Sequence, residues 1–186
     1  MSDSAFAIFG RKHVMVDIES FSRRQHAAII SIGAVRFTFE NGIEDEFLVN
    51  VNPASCKEIG LDIDPDTVEW WGKQPRETRL TWQTNPTPGG IVESLHALNE
   101  FVGKDKQQML WAQGSVFDFG ILSEAFAHAG IKKGWMYWSE NDMRTIMSLM
   151  GIRNDQIRAT QGGHHSAMDD ARSQAETLIG IFKELA

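Results

Sequence analysis

A strand-like segment that ends in two carboxylates constrains this chain more than any other feature. Residues 13–20 read His-Val-Met-Val-Asp-Ile-Glu-Ser. On a β-strand the side chains alternate between two faces, so Asp17 and Glu19 would share one face and Ile18 would take the other. Their attachment points would lie roughly 6.5–7 Å apart, a span that can hold two divalent cations about 4 Å apart. Taken alone, however, an Asp-x-Glu pair is also typical of a strand that turns polar at the surface.

Length and charge narrow the class of protein. The chain has 186 residues, of which 42% are hydrophobic and 23% charged, and this predicts one globular domain over residues 1–186 with a loose terminus at residues 1–10. No segment resembles a membrane span or an export leader, and the single cysteine cannot form an internal disulfide, which favours a cytoplasmic location. A net charge of −7 argues against a protein that coats long duplexes. It argues less against a metal-dependent enzyme, because bound cations would neutralise carboxylates.

The opening third of the chain predicts three antiparallel strands. After the acidic strand, residues 27–39 continue with a long apolar, β-branched pattern, and residues 44–51 repeat it. Between them Asn41-Gly42 is a strong signal for a tight hairpin turn. The carboxylate pair therefore belongs to the first strand of an antiparallel set.

A short helix with two tryptophans follows. Asp64 is the predicted N-cap and Pro65 the first helical residue, an arrangement typical of a helix start. Adjacent residues on a helix diverge by about 100°, so Trp70 and Trp71 cannot be equally buried. We expect one to pack in the core. The other is either a packing residue or a platform for base stacking, which contributes about 1–3 kcal/mol per base.

The second half of the chain predicts an α/β unit with an acidic residue at its turn. Residues 91–101 form an amphipathic pattern, residues 108–112 a short buried strand, and residues 116–129 a helix. Sites form at the carboxyl ends of such strands, where Asp118 lies. On its own Asp118 is explained by a capping box with Ser115. A last short strand is predicted over residues 135–138.

The start of the C-terminal helix combines histidines and carboxylates. An irregular segment, residues 153–163, leads into His164-His165-Ser166-Ala167-Met168-Asp169-Asp170. The spacing from His164 to Asp169 equals that from His165 to Asp170, so two registers are available. A capping box between Ser166 and Asp169 would occupy Asp169 with backbone amides and leave Asp170 free. We therefore favour the second register.

In this order the three motifs resemble those of the DEDDh 3′–5′ exonucleases of the ribonuclease-H-like superfamily, a branch named for Asp, Glu, Asp, Asp and His. The first motif corresponds to Asp17 and Glu19, the second to Gly114-Ser115-Val116-Phe117-Asp118, and the third to His165-Ser166-Ala167-Met168-Asp169-Asp170-Ala171. The resemblance spans residues 13–171. The paired tryptophans after an Asp-Pro helix start look most like a small phage and bacterial branch, which includes phage exodeoxyribonuclease A and mycobacterial-type exoribonucleases.

The resemblance implies an α/β fold, with a mixed five-stranded sheet whose first three strands are antiparallel and whose faces carry helices. It implies hydrolysis of single-stranded RNA or DNA from the 3′ end, which releases nucleoside 5′-monophosphates with two Mg²⁺ or Mn²⁺ ions. The implied metal ligands are Asp17, Glu19, Asp118 and Asp170, with His165 as the general base. The expected substrate contacts are Ser20, Phe21, Trp70, Trp71 and Phe117.

Two other functions stay open at the level of sequence. Sparse basic clusters, Arg23-Arg24 and Lys132-Lys133, are compatible with a phosphohydrolase that acts on nucleotides or short oligonucleotides. A non-catalytic nucleic-acid-binding module on the same fold is the other. The choice between RNA and DNA stays open because the sequence identifies no residue that would contact the ribose 2′-hydroxyl. Dimers are common among the enzymes that the chain resembles, so a homodimer is a further option.

Overall fold

A five-stranded mixed sheet forms the centre of the molecule. The computed structural model describes residues 8–152 and 165–185. The strands are β1 (His13–Ser20), β2 (Ile29–Thr38), β3 (Gly42–Asn50), β4 (Met109–Ala112) and β5 (Glu140–Asp142). Their order across the sheet is β3-β2-β1-β4-β5. The first three strands pair antiparallel, and β4 runs parallel to both β1 and β5. The predicted mixed sheet is therefore confirmed.

Helices cover both faces of this sheet. They are α1 (Pro53–Glu58), α2 (Pro65–Gly72), α3 (Arg76–Gln83), α4 (Ile91–Val102), α5 (Ser115–His128), α6 (Met143–Leu149) and α7 (Ala167–Leu185). Apolar residues of α1, α4 and α5 form one core with the sheet, and those of α6 and α7 form a second core on the opposite face. Among the described residues, no helix has both the length and the apolar character that crossing a membrane requires.

Alternation along β1 directs its side chains to different faces, as the sequence predicts. Val14, Val16 and Ile18 are buried in the core with α4 and α5. Met15 belongs to the opposite core, which α7 covers. Because side chains two residues apart share a face, Asp17 and Glu19 project to the α7 side.

The hairpin and the tryptophan helix also follow the sequence. Gly42, the first residue of β3 after the hairpin turn, has a φ of +82°, a conformation that glycine adopts at little cost. The Asp64 side chain accepts the backbone N–H of Asp66, and Pro65 is the first residue of α2. Trp71 is 3% exposed and Trp70 is 43% exposed. The expectation that one tryptophan would be buried is confirmed.

The predicted last strand is misplaced. Residues 135–138 do not form a strand: Tyr137–Ser139 is a single 3₁₀ turn, and the edge strand is Glu140–Asp142. The aromatic residues had suggested a strand, but Trp135 alone is buried there, against Phe126. Its indole N–H donates to Glu140, so its burial reflects the packing of one ring in a loop.

A glycine in β2 allows α7 to lie directly on the sheet beside the acidic pair. Gly33 is the partner of Asp17 in the β1–β2 ladder. A Cβ atom at Gly33 would overlap the backbone carbonyl of Ala167, the first residue of α7. The missing side chain therefore brings the start of α7 to the end of β1. Residues 1–7 and 153–164, which include His164, lie outside the described residues.

Candidate active site

Four carboxylates from three elements meet at one edge of the sheet. Strands β1 and β4 are parallel, so their carboxyl ends share this edge, and α5 begins there directly after β4. The cleft between β1, α5 and α7 has a volume of about 400 Å³. The five residues that the resemblance implied as catalytic all line this cleft: Asp17, Glu19, Asp118, His165 and Asp170.

Asp118 is positioned by a mechanism that the sequence did not reveal. The capping box with Ser115, the alternative explanation for Asp118, does not form, because α5 begins at Ser115 and its N-cap is Gly114, with a φ of +115°. The backbone N–H groups of Gly114 and Ser115 instead donate to Oδ1 of Asp142, at 3.0 and 3.1 Å. The Asp118 carboxylate accepts the backbone N–H of Ile18 at 3.3 Å. It therefore ties α5 to β1 and faces the cleft.

The first turn of α7 separates its two adjacent aspartates. The Ser166 hydroxyl accepts the backbone N–H of Asp169 at 3.4 Å, and the Asp169 side chain is exposed. Asp170 points into the cleft instead. Glu19, His165 and Asp170 each offer a ligand atom within 4.8 Å of the others. This arrangement agrees with the register that pairs His165 with Asp170.

The carboxylates of the cleft are buried close together, so their ionised forms are unfavourable. Burial, reinforced by Asp118, Glu19 and Asp170, raises the pKa of Asp17 well above its usual value. Burial and the neighbouring Asp170 and Asp118 raise the pKa of Glu19 to about 8. Burial also raises the pKa of Asp118 to about 7, against the hydrogen bond from Ile18. A divalent cation would lower these pKa values, because it favours the charged form of every ligand.

Sequence reasoning missed Gln174, which contacts the first carboxylate. Its Nε2 donates to Oδ1 of Asp17 at 2.8 Å, and the side chain is only 5% exposed. Its Oε1 is buried and has no hydrogen-bond partner among the described residues. Gln174 lies one helical turn after Asp170, on the same face of α7. That i, i+4 spacing is the signal that would have pointed to it.

An aromatic pocket adjoins the carboxylate cleft. We call it the aromatic pocket; its volume is about 380 Å³, and its lining includes Ser20, Trp70, Trp71 and Phe117. The Trp71 indole N–H donates to the backbone carbonyl of Ser20 at 3.0 Å, which ties α2 to the end of β1. The exposed Trp70 ring meets the His165 ring edge-on, with centroids 5.1 Å apart.

One expected substrate contact is not supported by the structure. Phe21 is 8% exposed and belongs to the hydrophobic core, where its ring packs edge-on against Trp82 at 5.1 Å between centroids. The preceding residue, Ser20, lines the aromatic pocket, and its backbone carbonyl accepts the Trp71 indole N–H. The resemblance to the exonucleases had implied that Phe21 contacts the substrate. Its side chain serves the core instead.

Comparisons with solved structures place this fold among nucleases. Escherichia coli Exonuclease I in complex with a dA16 oligonucleotide is similar, with a TM-score of 0.69 at 12% identity over 95% of this chain and 43% of that chain. The nuclease domain of 3′hExo, a DEDDh family member, bound to rAMP, has a TM-score of 0.61 at 15% identity over 93% and 92%. Cell-death related nuclease 4 (CRN-4) has a TM-score of 0.62 at 16% identity over 93% and 64%.

These likenesses show the ribonuclease-H-like fold, and this chain spans less than half the length of Exonuclease I. A sequence search among curated proteins gave no match. The class defined by the fold and by the Asp, Glu, Asp, Asp and His set is that of the DEDDh 3′–5′ exonucleases. A family model described as "3′-5′ exoribonuclease Rv2179c-like domain" matches residues 12–182. The chain belongs to this family.

Proposed function

We propose that this chain is a metal-dependent 3′–5′ exonuclease of single-stranded nucleic acid, with RNA as its preferred substrate. The products would be nucleoside 5′-monophosphates. The observation that carries the proposal is the meeting of Asp17, Glu19, Asp118 and Asp170, from three separate elements, in one cleft. Like charges that are buried together destabilise a protein unless cations neutralise them.

The donor set fits hard divalent cations. The four carboxylates offer oxygen ligands, and such ligands favour Mg²⁺ or Mn²⁺ over softer metals. Two such ions, when bound, would supply an activated water, charge relief on the phosphate and stabilisation of the leaving 3′ oxygen. Asp17 is our candidate to contact both, because its charge interacts with those of Asp118, Glu19 and Asp170.

We assign the role of general base to His165. An imidazole can accept a proton near neutral pH, and one ring nitrogen of His165 lies within 4.8 Å of a carboxylate oxygen of Glu19 and of Asp170. His165 also has a φ of +43°, a strained value for a residue with a side chain. A His165→Gln variant should lose turnover while its Mn²⁺ affinity, measured by calorimetry, stays within a few-fold. Equal loss of both would make His165 a ligand instead.

The aromatic pocket is our candidate for the terminal nucleoside. Trp70 and Phe117, 43% and 40% exposed, present rings beside the carboxylates, and an exposed ring can stack on any base. The Trp71 indole and the Ser20 carbonyl hold each other, so we assign them to the wall of the pocket. RNA is preferred over DNA in this proposal because the family is described as exoribonucleases.

The test uses one strand of twenty nucleotides, labelled at its 5′ end and made as RNA and as DNA. With Mg²⁺ or Mn²⁺ the wild type should produce a ladder that shortens from the 3′ end, faster on RNA. Chelator and the Asp17→Asn variant should both abolish the ladder. An intact strand together with cleavage of dinucleotides would support the phosphohydrolase instead. Tight binding of the strand with no cleavage of any substrate would support the binding module.

A further inference from the structure

A third cavity adjoins both the carboxylate cleft and the aromatic pocket, and its charged lining is mainly basic. We call it the basic cleft; its volume is about 440 Å³, and Arg23, Arg24 and Arg144 line it. Arg144 also lines the carboxylate cleft, and Phe117 lines all three cavities. The three cavities therefore form one connected surface, with Phe117 where they meet.

The guanidinium groups of the basic cleft are available to an anion. Within residues 8–152 and 165–185, no carboxylate lies within ion-pair distance of Arg23 or Arg144, and both side chains are exposed. Arg24 pairs with Asp62 at 3.2 Å but keeps 66% of its side chain exposed. An exposed ion pair of this kind contributes little and is easily exchanged for another anion.

The one carboxylate that lines the basic cleft is already occupied. Asp142 accepts the N–H groups of Gly114 and Ser115 and the Thr145 hydroxyl. These hydrogen bonds, which outweigh the effect of burial, lower its pKa. Asp142 therefore stays ionised with its oxygens engaged, and the three guanidinium groups outnumber it in the lining of the cleft. This local positive charge contrasts with the net charge of −7 of the whole chain.

The loop that carries two of these arginines is held in place. The Ser22 hydroxyl donates to Asp62 at 2.6 Å and accepts the backbone N–H of Arg24 at 3.2 Å. The next residue, Gln25, packs near Gly120 of α5. A loop ordered in this way loses little conformational entropy when it binds a ligand.

We propose that the basic cleft binds the backbone phosphates of the nucleotides on the 5′ side of the scissile bond. This inference rests on the proposed function and deepens it. The aromatic pocket shares Arg23 with the basic cleft, but the rest of its lining includes aromatic rings and the carboxylates of Glu19 and Asp66, which suit a base and disfavour a chain of phosphates. The basic cleft offers guanidinium groups, which bind phosphate through paired hydrogen bonds. The substrate is therefore a strand that extends past the scissile phosphate, and not a nucleotide or dinucleotide.

The first experiment compares substrate lengths. For the R23Q/R24Q/R144Q variant, kcat/KM on a twelve-nucleotide RNA should fall at least tenfold further than kcat/KM on a dinucleotide. A matched control, R11Q/K104Q/K106Q, removes the same charge from residues that precede β1 and β4, at the opposite edge of the sheet. It should leave the ratio of the two rates as in the wild type. An unchanged ratio in the first variant, or an equal fall in both, would overturn the proposal.

The second experiment separates the cleft from the chemistry. Binding of the same RNA is measured by fluorescence anisotropy, with Ca²⁺ in place of Mg²⁺, over a range of salt concentrations. Loss of three phosphate contacts should reduce the slope of log affinity against log salt by about 2, since each contact contributes about 0.7 on a single strand. The charge-conserving variant R23K/R24K/R144K should keep most of the wild-type slope.

If the R23Q/R24Q/R144Q variant keeps the wild-type slope, the proposal that the basic cleft binds backbone phosphates is refuted. A wild type that binds with the expected slope but cleaves nothing would refute the proposed function alone.

Discussion

Strand β1 carries buried polar side chains at both ends of one face, and the two ends differ in their neighbours. At its start the polar group has hydrogen-bond partners within the protein, whereas at its end the polar groups face like charges. At its start His13 is fully buried. Its Nδ1 accepts the Trp111 indole N–H at 3.0 Å, and its Nε2 donates to the Ile8 carbonyl at 3.0 Å. Burial lowers the pKa of His13 to about 4. The ring is therefore neutral at physiological pH, and both of its nitrogens are satisfied.

At its other end the same strand places Asp17 and Glu19 against two more carboxylates, Asp118 and Asp170. Burial raises the pKa of Asp17 and that of Glu19. A polar group whose partners are all internal stabilises the fold. A set of buried like charges does the reverse, and it marks a place where a ligand from outside supplies the missing charge. The comparison teaches that burial alone does not identify a site; the sign and number of the neighbouring charges do.

The largest effect is expected for Asp17→Asn. The substitution keeps the shape of the side chain and removes one charge, so turnover should fall more than about 100-fold, beyond the loss typical of groups that only support metal ligands. At a pH high enough to ionise the cleft carboxylates, the metal-free melting temperature should rise, because repulsion within the cleft decreases. Both are measured on the labelled strand and by thermal melting.

Asp169→Asn is the matched control for this substitution, because Asp169 is adjacent to the site in sequence but exposed outside the cleft. It should change neither turnover nor melting temperature appreciably. An Asp17→Asn protein that cleaves at the wild-type rate, or that is unfolded, would remove Asp17 from the site.

Gln174→Met is expected to weaken metal binding 10- to 100-fold, the usual cost of losing a residue that orients a metal ligand. Methionine fills a similar volume but cannot donate to Asp17. Calorimetric titration with Mn²⁺ measures the affinity without turnover. Gln107→Met, an exposed glutamine before β4, is the control and should bind as the wild type does. Wild-type affinity in Gln174→Met would reduce Gln174 to a packing residue.

His13→Phe should affect the opposite end of the strand and only its stability. The Trp111 indole and the Ile8 carbonyl each lose a partner, so the free energy of unfolding should fall by about 1–3 kcal/mol. Urea denaturation measures it, and turnover per folded molecule should not change. His96→Phe, on the exposed surface of α4, should change stability by less than about 0.5 kcal/mol. If a stably folded His13→Phe protein lost turnover, the His13 end of β1 would not be purely structural, and the comparison of the two ends would be wrong.

The smallest effect is a pH dependence that differs in sign between the two ends. The folded protein binds fewer protons at His13 than the unfolded chain, since the folded pKa is about 4. This contribution to stability is lost as pH falls from about 6.5 towards 4. The folded protein binds more protons at Glu19 and Asp118, with pKa values of about 8 and 7. Their contribution is present at low pH and is lost as pH rises from about 4 to 8.

Between pH 6.5 and 8 the raised pKa values of Glu19 and Asp118 outweigh the effect of His13, so the metal-free melting temperature should fall across this range. His13→Phe should keep that slope, and Glu19→Gln should reduce it. Saturating Mg²⁺ should also reduce it, because the ion binds the charged form. A melting temperature that rises with pH in metal-free wild type would contradict the raised pKa values.

The sequence alone predicted those parts of the site that depend on local rules. Alternation along a strand put Asp17 and Glu19 on one face, and the hydroxyl of Ser166 selected Asp170 over Asp169. Local reasoning also offered a capping box between Ser115 and Asp118 as an alternative, and the structure does not form it. The amides at the start of α5 have a better acceptor in Asp142, which is distant in sequence and becomes a neighbour only when β5 pairs with β4.

What the sequence by itself determined is therefore the strand with its two carboxylates, the hairpin and the start of α2, because each depends on residues within a turn or two of one another. Only the tertiary structure decided that Gly33 lets α7 reach the end of β1, that Gln174 binds Asp17, and that Arg144 joins the loop arginines in one cleft. These contacts join elements far apart along the chain. Their existence depends on how whole helices pack on the sheet, which no local pattern encodes.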